Sequence, residues 1–201
     1  MHNEVNATNL TDEEMERVVE AYLRKHLPNH VEKLMCEIGV ALLNEAATVG
    51  SLRMDSRTYS QEVAGERWLR QAAESGNPQA MYEWGWRMVC GEACIAQDID
   101  TGKKLLRQAA EAGETKAMWE MGSLLLDGEY LPRDEQEGRL WYERAIAQGD
   151  TDALYDWIIR LLNGEGIAPD VKQAEHLLRH LSATGMHSAK DMLKKILPPT
   201  E

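Results

Sequence analysis

Four glycines, Gly76, Gly113, Gly149 and Gly185, stand 37, 36 and 36 residues apart, and this recurrence constrains the fold more than any local propensity. A period between about twenty and fifty residues belongs to solenoids, whose units bury their apolar faces only against neighbouring units. Other positions keep the same register. Eight residues before each glycine the chain reads Trp68, Leu105, Trp141 and Leu177, and eleven before it reads Gly65, Gly102, Gly138 and Ala174. Four before come Ala72, Ala109, Ala145 and Leu181, and four after come Ala80, Ala117, Ala153 and Ala189. Small residues let helix axes approach closely, and the large Trp or Leu fills the space beside them.

Each of the four glycines is expected to end a helix, because glycine takes the left-handed conformation there without the steric cost of a side chain. Eleven residues past the first three alanines lie Gly91, Gly128 and Gly164, followed by Asp98, Asp134 and Asp170. An aspartate suits a helix N-cap, where its carboxylate accepts orphan backbone N–H bonds and complements the macrodipole. Each unit is therefore predicted as helix, turn, helix and longer loop. The extra residue in the first spacing falls between Gly91 and Asp98, where an insertion leaves the packing register intact.

The motif resembles the Sel-one-like repeat, a relative of the tetratricopeptide repeat. The resemblance is carried by Ala80-Met81-Tyr82-Glu83-Trp84-Gly85 with Gly91, by Ala117-Met118-Trp119-Glu120-Met121-Gly122 with Asp127-Gly128-Glu129, and by Asn163-Gly164-Glu165-Gly166-Ile167 with Asp170. It continues in the second helices from Trp68 to Gly76 and from Leu105 to Gly113, and covers roughly residues 61 to 197. Ile158 departs from the pattern by replacing a first-helix glycine, and Leu181-Ser182 by replacing an Ala-Ala pair. The resemblance implies an all-α, right-handed α-solenoid of stacked helix-turn-helix repeats of about 36 residues; residues 198 to 201, beyond it, are expected to be a disordered tail.

The first sixty residues are expected to form capping helices and a linker. Thr11-Asp12-Glu13-Glu14 is a capping box, and Val18, Val19, Tyr22 and Leu23 follow at helical spacing, predicting a helix from about 12 to 26 that Pro28 closes. A second helix from about 29 to 48 carries apolar residues from Val31 to Ala46 at 3.6-residue spacing. Its Gly39-Val40-Ala41-Leu42-Leu43 echoes the first helix of a unit, so it is expected to dock as a half-repeat on a helix of about 61 to 75. The helix at 12 to 26 is expected to cap the raw apolar end. Residues 51 to 60 are read as a polar loop.

On the first helix of each unit, counted from its alanine, the apolar positions are one, four, five and eight residues on, so the opposite face holds positions three and six. Position three reads Glu83, Glu120 and Asp156, a ladder of carboxylates if the units stack; position six reads Trp86, Ser123 and Ile159. Position two is an aromatic row, Tyr82, Trp119 and Tyr155. First helices line the concave side of tetratricopeptide-like stacks. The resemblance thus implies an acidic groove in which Glu83, Trp86, Trp119, Glu120, Tyr155, Asp156 and Ile159 meet a protein partner.

A net charge of −12 argues against nucleic acid, whose phosphates call for arrayed lysine and arginine, and permits steered encounter with a basic protein partner, which the resemblance implies to be a toxin or effector. No run approaches the roughly eighteen apolar residues of a membrane helix, and the opening Met1-His2-Asn3-Glu4 is not that of an export signal. A cytoplasmic protein is expected; of its three cysteines at least one has no intrachain partner, and although Cys90 and Cys94 straddle a turn near Gly91 and could pair, reduced thiols are expected. No phosphate-binding, dinucleotide or nucleophile-elbow motif is present; neither catalysis nor a cofactor is expected. The one arrangement suited to zinc is His176 and His180 at i, i+4, which frames a metal-dependent hydrolase as the rival from another class. The resemblance implies a bacterial binding protein: a cognate, immunity-type inhibitor of a toxin, or an adaptor in a signalling or envelope complex.

Overall fold

Helix boundaries follow the punctuation of the sequence. In the computed structural model, which describes residues 11–50, 56–91, 95–183, 185 and 187–196, the Asn77 side chain accepts the Ala80 N–H at 2.9 Å and Pro78 takes the first helical position. The same helix ends at Gly91, whose φ of 72° is left-handed and whose N–H returns to the Arg87 carbonyl. Asp98, Asp134 and Asp170 then accept the N–H three residues on, at 3.1, 2.9 and 2.9 Å. After the second helix the chain turns at Gly76, φ 89°. There the Asn77 and Gly76 N–H groups return to the Ala72 and Ala73 carbonyls at 3.1 and 3.0 Å, a closing pattern that needs a left-handed residue.

Ten helices result among the described residues, and no strand: α1 Asp12–His26, α2 Val31–Gly50, α3 Ser56–Glu74, α4 Pro78–Cys90, α5 Ile99–Glu111, α6 Thr115–Asp127, α7 Glu135–Ala147, α8 Thr151–Asn163, α9 Val171–Ala183 and α10 His187–Ile196. The fold is all-α, of the class built as an α-solenoid of helical repeats. The chain divides into two compact units, Met1–Glu114 and Thr115–Glu201.

In the first unit α2 packs on α3 and α4 on α5, and in both pairs the backbones touch. A Cβ on Gly102 would lie 2.6 Å from the Gly85 carbonyl oxygen, and one on Gly39 would lie 2.9 Å from that of Gly65. The small residues are where the axes cross, as the repeat predicts. Val31, Met35, Leu43, Trp68, Leu69 and Trp84 fill the space around these crossings. Two expectations change. The helix anticipated at 61 to 75 begins at Ser56, so Ser56, Arg57 and Thr58 belong to α3 and not to a loop, while residues 51 to 55 lie outside the described residues, as does Cys94. Helix α1 carries its capping box as predicted, with the Thr11 N–H donating to Glu14 Oε2 at 2.9 Å and the Glu14 N–H to Thr11 Oγ1 at 3.3 Å. Its stripe of Met15, Val18, Val19 and Tyr22 nevertheless faces outward. Polar contacts dictate that rotation: Arg67 donates to Glu16 and Gln71 to Glu20, both at 2.8 Å, and among the described side chains of α1 only Leu23 is buried.

In the second unit α6 packs on α7, α7 on α8, α8 on α9 and α9 on α10. Gly122 faces Gly138 in the α6–α7 crossing, where a Cβ on Gly122 would lie 2.7 Å from the Tyr142 ring. The α8–α9 pair puts Ile158 and Ala174 at the corresponding positions, both fully buried. Their side chains hold these backbones further apart than glycine does, so this hairpin packs less closely than the three with glycine at the crossing.

Candidate functional site

The position three residues after each alanine does not form a uniform solvated row. In the first unit Glu83 is half-buried and pairs with Arg87 four residues on, which also donates to the Asn44 side-chain oxygen Oδ1 at 3.1 Å. Trp86 beside them is half-buried on α4. The paired acid is felt at a distance: burial first, and then the Glu83 charge, push the buried Cys36 thiol up to about 11.

In the second unit Trp119, Glu120, Tyr155 and Asp156 are all half-buried, whereas Ile159 remains 39% exposed. Trp119 donates from Nε1 to Asp156 Oδ2 at 3.2 Å. The same oxygen accepts from the Tyr142 hydroxyl and, at 3.0 Å, from Arg160 Nε. Arg160 is buried and saturated. It grips Asp127 through two nitrogens at 2.7 and 3.2 Å, reaches Ser123 Oγ at 2.7 Å, and donates to the Tyr142 oxygen at 3.0 Å. Planar guanidinium suits such forked recognition, and this node ties α8 to both α6 and α7. Hydrogen bonding from Arg160 holds the Asp127 carboxyl below the usual range. Burial, then the bond to Asp156, raises the Tyr142 hydroxyl above its usual value.

Glu120 is the exception. No hydrogen bond or ion pair to its carboxylate occurs among the described residues, because Leu124 stands where the other two helices carry the i+4 arginine. Burial, followed by the charge of Asp156, pushes its carboxyl up to about 7, with Arg160 only partly offsetting the shift and Asp127 adding to it.

Of the residues expected at a partner-binding face, Trp119, Glu120 and Asp156 are thus brought together with Arg160 and Asp127. Asp156 accepts three hydrogen bonds within the fold through its Oδ2. The carboxylate ladder is two ion-paired acids and one acid without an arginine of its own. Sequence reasoning missed Arg87 and Arg160, although both stand seven residues after a register alanine and four after an acid, the spacing of a helical ion pair. Tyr142 carried no such signal, since its counterparts Leu69, Leu106 and Leu178 are plain core residues. His176 and His180 are exposed on α9. Among the described residues no group of three or more His, Cys, Asp and Glu side chains is placed to hold a metal.

Residues 61–77, 78–114, 115–150 and 159–179, more than half of the chain, match the Sel1 repeat. The chain belongs to the Sel1 repeat family. A Sel1 repeat protein of known structure from Oxalobacter formigenes is 31% identical over 63% of this chain and 95% of its own, with a TM-score of 0.52. A protective antigen present in uropathogenic Escherichia coli strains, displaying an SLR fold, is 28% identical over 62% of this chain and 26% of its own, with a TM-score of 0.53. No curated protein matches. Sel1 repeat proteins generally mediate protein–protein interaction and typically serve as non-catalytic scaffolds. No helix among the described residues of this Sel1 repeat protein is long and apolar enough to cross a membrane.

Proposed function

We propose that this Sel1 repeat protein binds a basic protein partner through the acid-bearing faces of its first helices, and that it acts as a cognate, immunity-type inhibitor of a toxin. Glu120 carries the reading. An acid set in a half-buried position beside Asp156 and Asp127, without its own arginine, weakens the free protein whenever it is ionised. A lysine or arginine from a partner relieves that cost at the moment of binding, so the energy favours the complex. Ile159 supplies exposed apolar surface on the neighbouring first helix, and Trp86 supplies an aromatic of the kind that anchors interfaces. The net charge of −12 adds long-range attraction for a basic surface. Within the first unit, Glu83 and Trp86 extend the proposed set; within the second, Trp119, Tyr155 and Asp156 shape the floor from which Glu120 and Ile159 are offered.

Affinity capture from the native host, followed by mass spectrometry, names the partner. Glu120→Lys and Ile159→Ala are then expected to lower its affinity tenfold or more while circular dichroism stays helical, whereas His176→Ala leaves it unchanged. Co-expression of the captured partner alone arrests growth, and the wild-type chain restores it. A partner that is harmless when expressed alone assigns the chain to the adaptor role. Retention of full affinity by Glu120→Lys moves the interface away from α6.

A further inference from the structure

The outward stripe of α1 belongs to no site described above. Met15, Val18 and Tyr22 stand at i, i+3 and i+7 with Val19 alongside, the spacing of a narrow helix–helix seam. They are 46, 53, 60 and 37% exposed in the order Met15, Val18, Tyr22, Val19. The stripe is centred about a third of a turn from Glu16, Glu20 and Leu23, the residues by which α1 docks on its own unit, so that docking leaves it uncovered. The Tyr22 ring is held in place by His26, with centroids 4.4 Å apart.

The charges along α1 name the occupant. Its first turn reads Asp12-Glu13-Glu14 and its last turn Arg24-Lys25-His26, although the chain as a whole is strongly acidic. A second α1 running in parallel would set like charges side by side. Running antiparallel about a two-fold axis near residue 20, it sets the acidic turn of each copy against the basic turn of the other, Glu14 beside Lys25, while Val18 meets Tyr22. Such a face is self-complementary, the condition for an isologous dimer, and the two helix dipoles oppose favourably.

We infer that the outer face of α1 pairs antiparallel with the same face of a second copy of this chain. Four residues on a helix of about 22 Å form a seam smaller than a standard interface, which sets the dimer in the micromolar range. Sedimentation equilibrium of the full chain is expected to show a concentration-dependent monomer–dimer mass that weakens with salt. Val18→Glu abolishes the dimer without shifting the thermal midpoint, because Val18 takes no part in docking α1. Lys25→Glu weakens it about tenfold. Register is read by mixing Val18→Cys chains with Tyr22→Cys chains under oxidation: the mixed pair crosslinks faster than Val18→Cys with itself. A chain monomeric at several hundred micromolar, a dimer indifferent to Val18→Glu, or preferential self-crosslinking of Val18→Cys would each overturn the inference. A chain that dimerises only after removal of residues 1 to 10 would assign the stripe to its own N-terminal segment instead.

Discussion

Arg87 and Arg160 occupy the same place in the repeat and live in different electrostatic company. Each stands seven residues after its register alanine, is buried, binds the acid four residues before it, and reaches the first helix of the preceding repeat. There Arg87 meets a neutral amide, Asn44, whereas Arg160 meets Asp127 through two nitrogens, with Ser123 and the Tyr142 oxygen completing its shell. One arginine answers one carboxylate; the other answers two directly and a third, Glu120, through space. The position is a repeat-level stitch, and its surroundings decide whether it merely fastens helices or also sets the charge of a surface.

Removing the stitch gives the largest effect. Arg160→Met leaves Asp127 and Asp156 without their cation in a partly buried site, and should cost about 3–5 kcal/mol in denaturant unfolding. Arg87→Met strands a single half-buried acid and should cost less, about 1–3 kcal/mol. Equal losses would mean that the second unit gains nothing from its extra carboxylates, and that the contrast between the two nodes is only one of composition.

This contrast marks the limit of what the sequence made legible. The hairpins were readable because Gly85 and Gly102, or Gly122 and Gly138, can recur in register only if something approaches them; the crossing explains them completely. Capping aspartates were readable for the same reason, each with a local backbone duty. The roles of the position-three acids were not. Whether Glu83, Glu120 or Asp156 is a surface charge depends on a side chain four residues away and on another in a different helix. Position three lies opposite the apolar positions of its own helix, so periodicity turns it away from that helix's core, but side chains of neighbouring helices half-bury it there. Tyr142 was hidden for a related reason: at a position otherwise leucine, only its hydroxyl distinguishes it, and the partner of that hydroxyl lies on the next helix. The outward rotation of α1 was hidden by the polar pairs that dock it, which override its apolar stripe.

Glu120 sharpens the comparison through pH. Its folded carboxyl titrates near 7 and lies above the ordinary glutamate value of 4.5, so its contribution to stability is fully present below about 4.5 and is lost as pH rises through about 7. Glu120→Gln should therefore stabilise the protein at pH 8 by about 1–2 kcal/mol, after allowing for screening at a partly exposed site. That gain should shrink toward zero by about pH 5. Glu83→Gln, at the same repeat position, should destabilise between about pH 5 and 8 alike, because it takes the carboxylate from Arg87. The difference between variant and wild type, followed by thermal melts across this range, isolates the residue from other titrating groups. A flat difference for Glu120→Gln would show that its carboxylate finds water or a cation in solution, and would remove its claim to be the acid a partner relieves.

The smallest expected effect comes from converting one node into the other. Asn44→Asp gives Arg87 a second carboxylate at the position where Arg160 has Asp127, replacing a neutral acceptor at 3.1 Å with a charged one. Asn44 is exposed, so the new charge needs little desolvation, and the gain should be about 0.5–1 kcal/mol at low salt, falling as ionic strength shortens the reach of the field. The reciprocal Asp127→Asn should lose somewhat more, because Asp127 also accepts from Ser123 and receives two arginine nitrogens. A double-mutant cycle pairing Asn44→Asp with Arg87→Met separates the new bond from any effect of the charge on α2 itself. If Asp127→Asn costs the predicted amount while Asn44→Asp yields no coupling to Arg87, acid count does not distinguish the two nodes. The burden then falls on Tyr142, whose ring and hydroxyl hold the Arg160 side chain in place and have no counterpart at Leu69, the residue that stands in the same relation to Arg87.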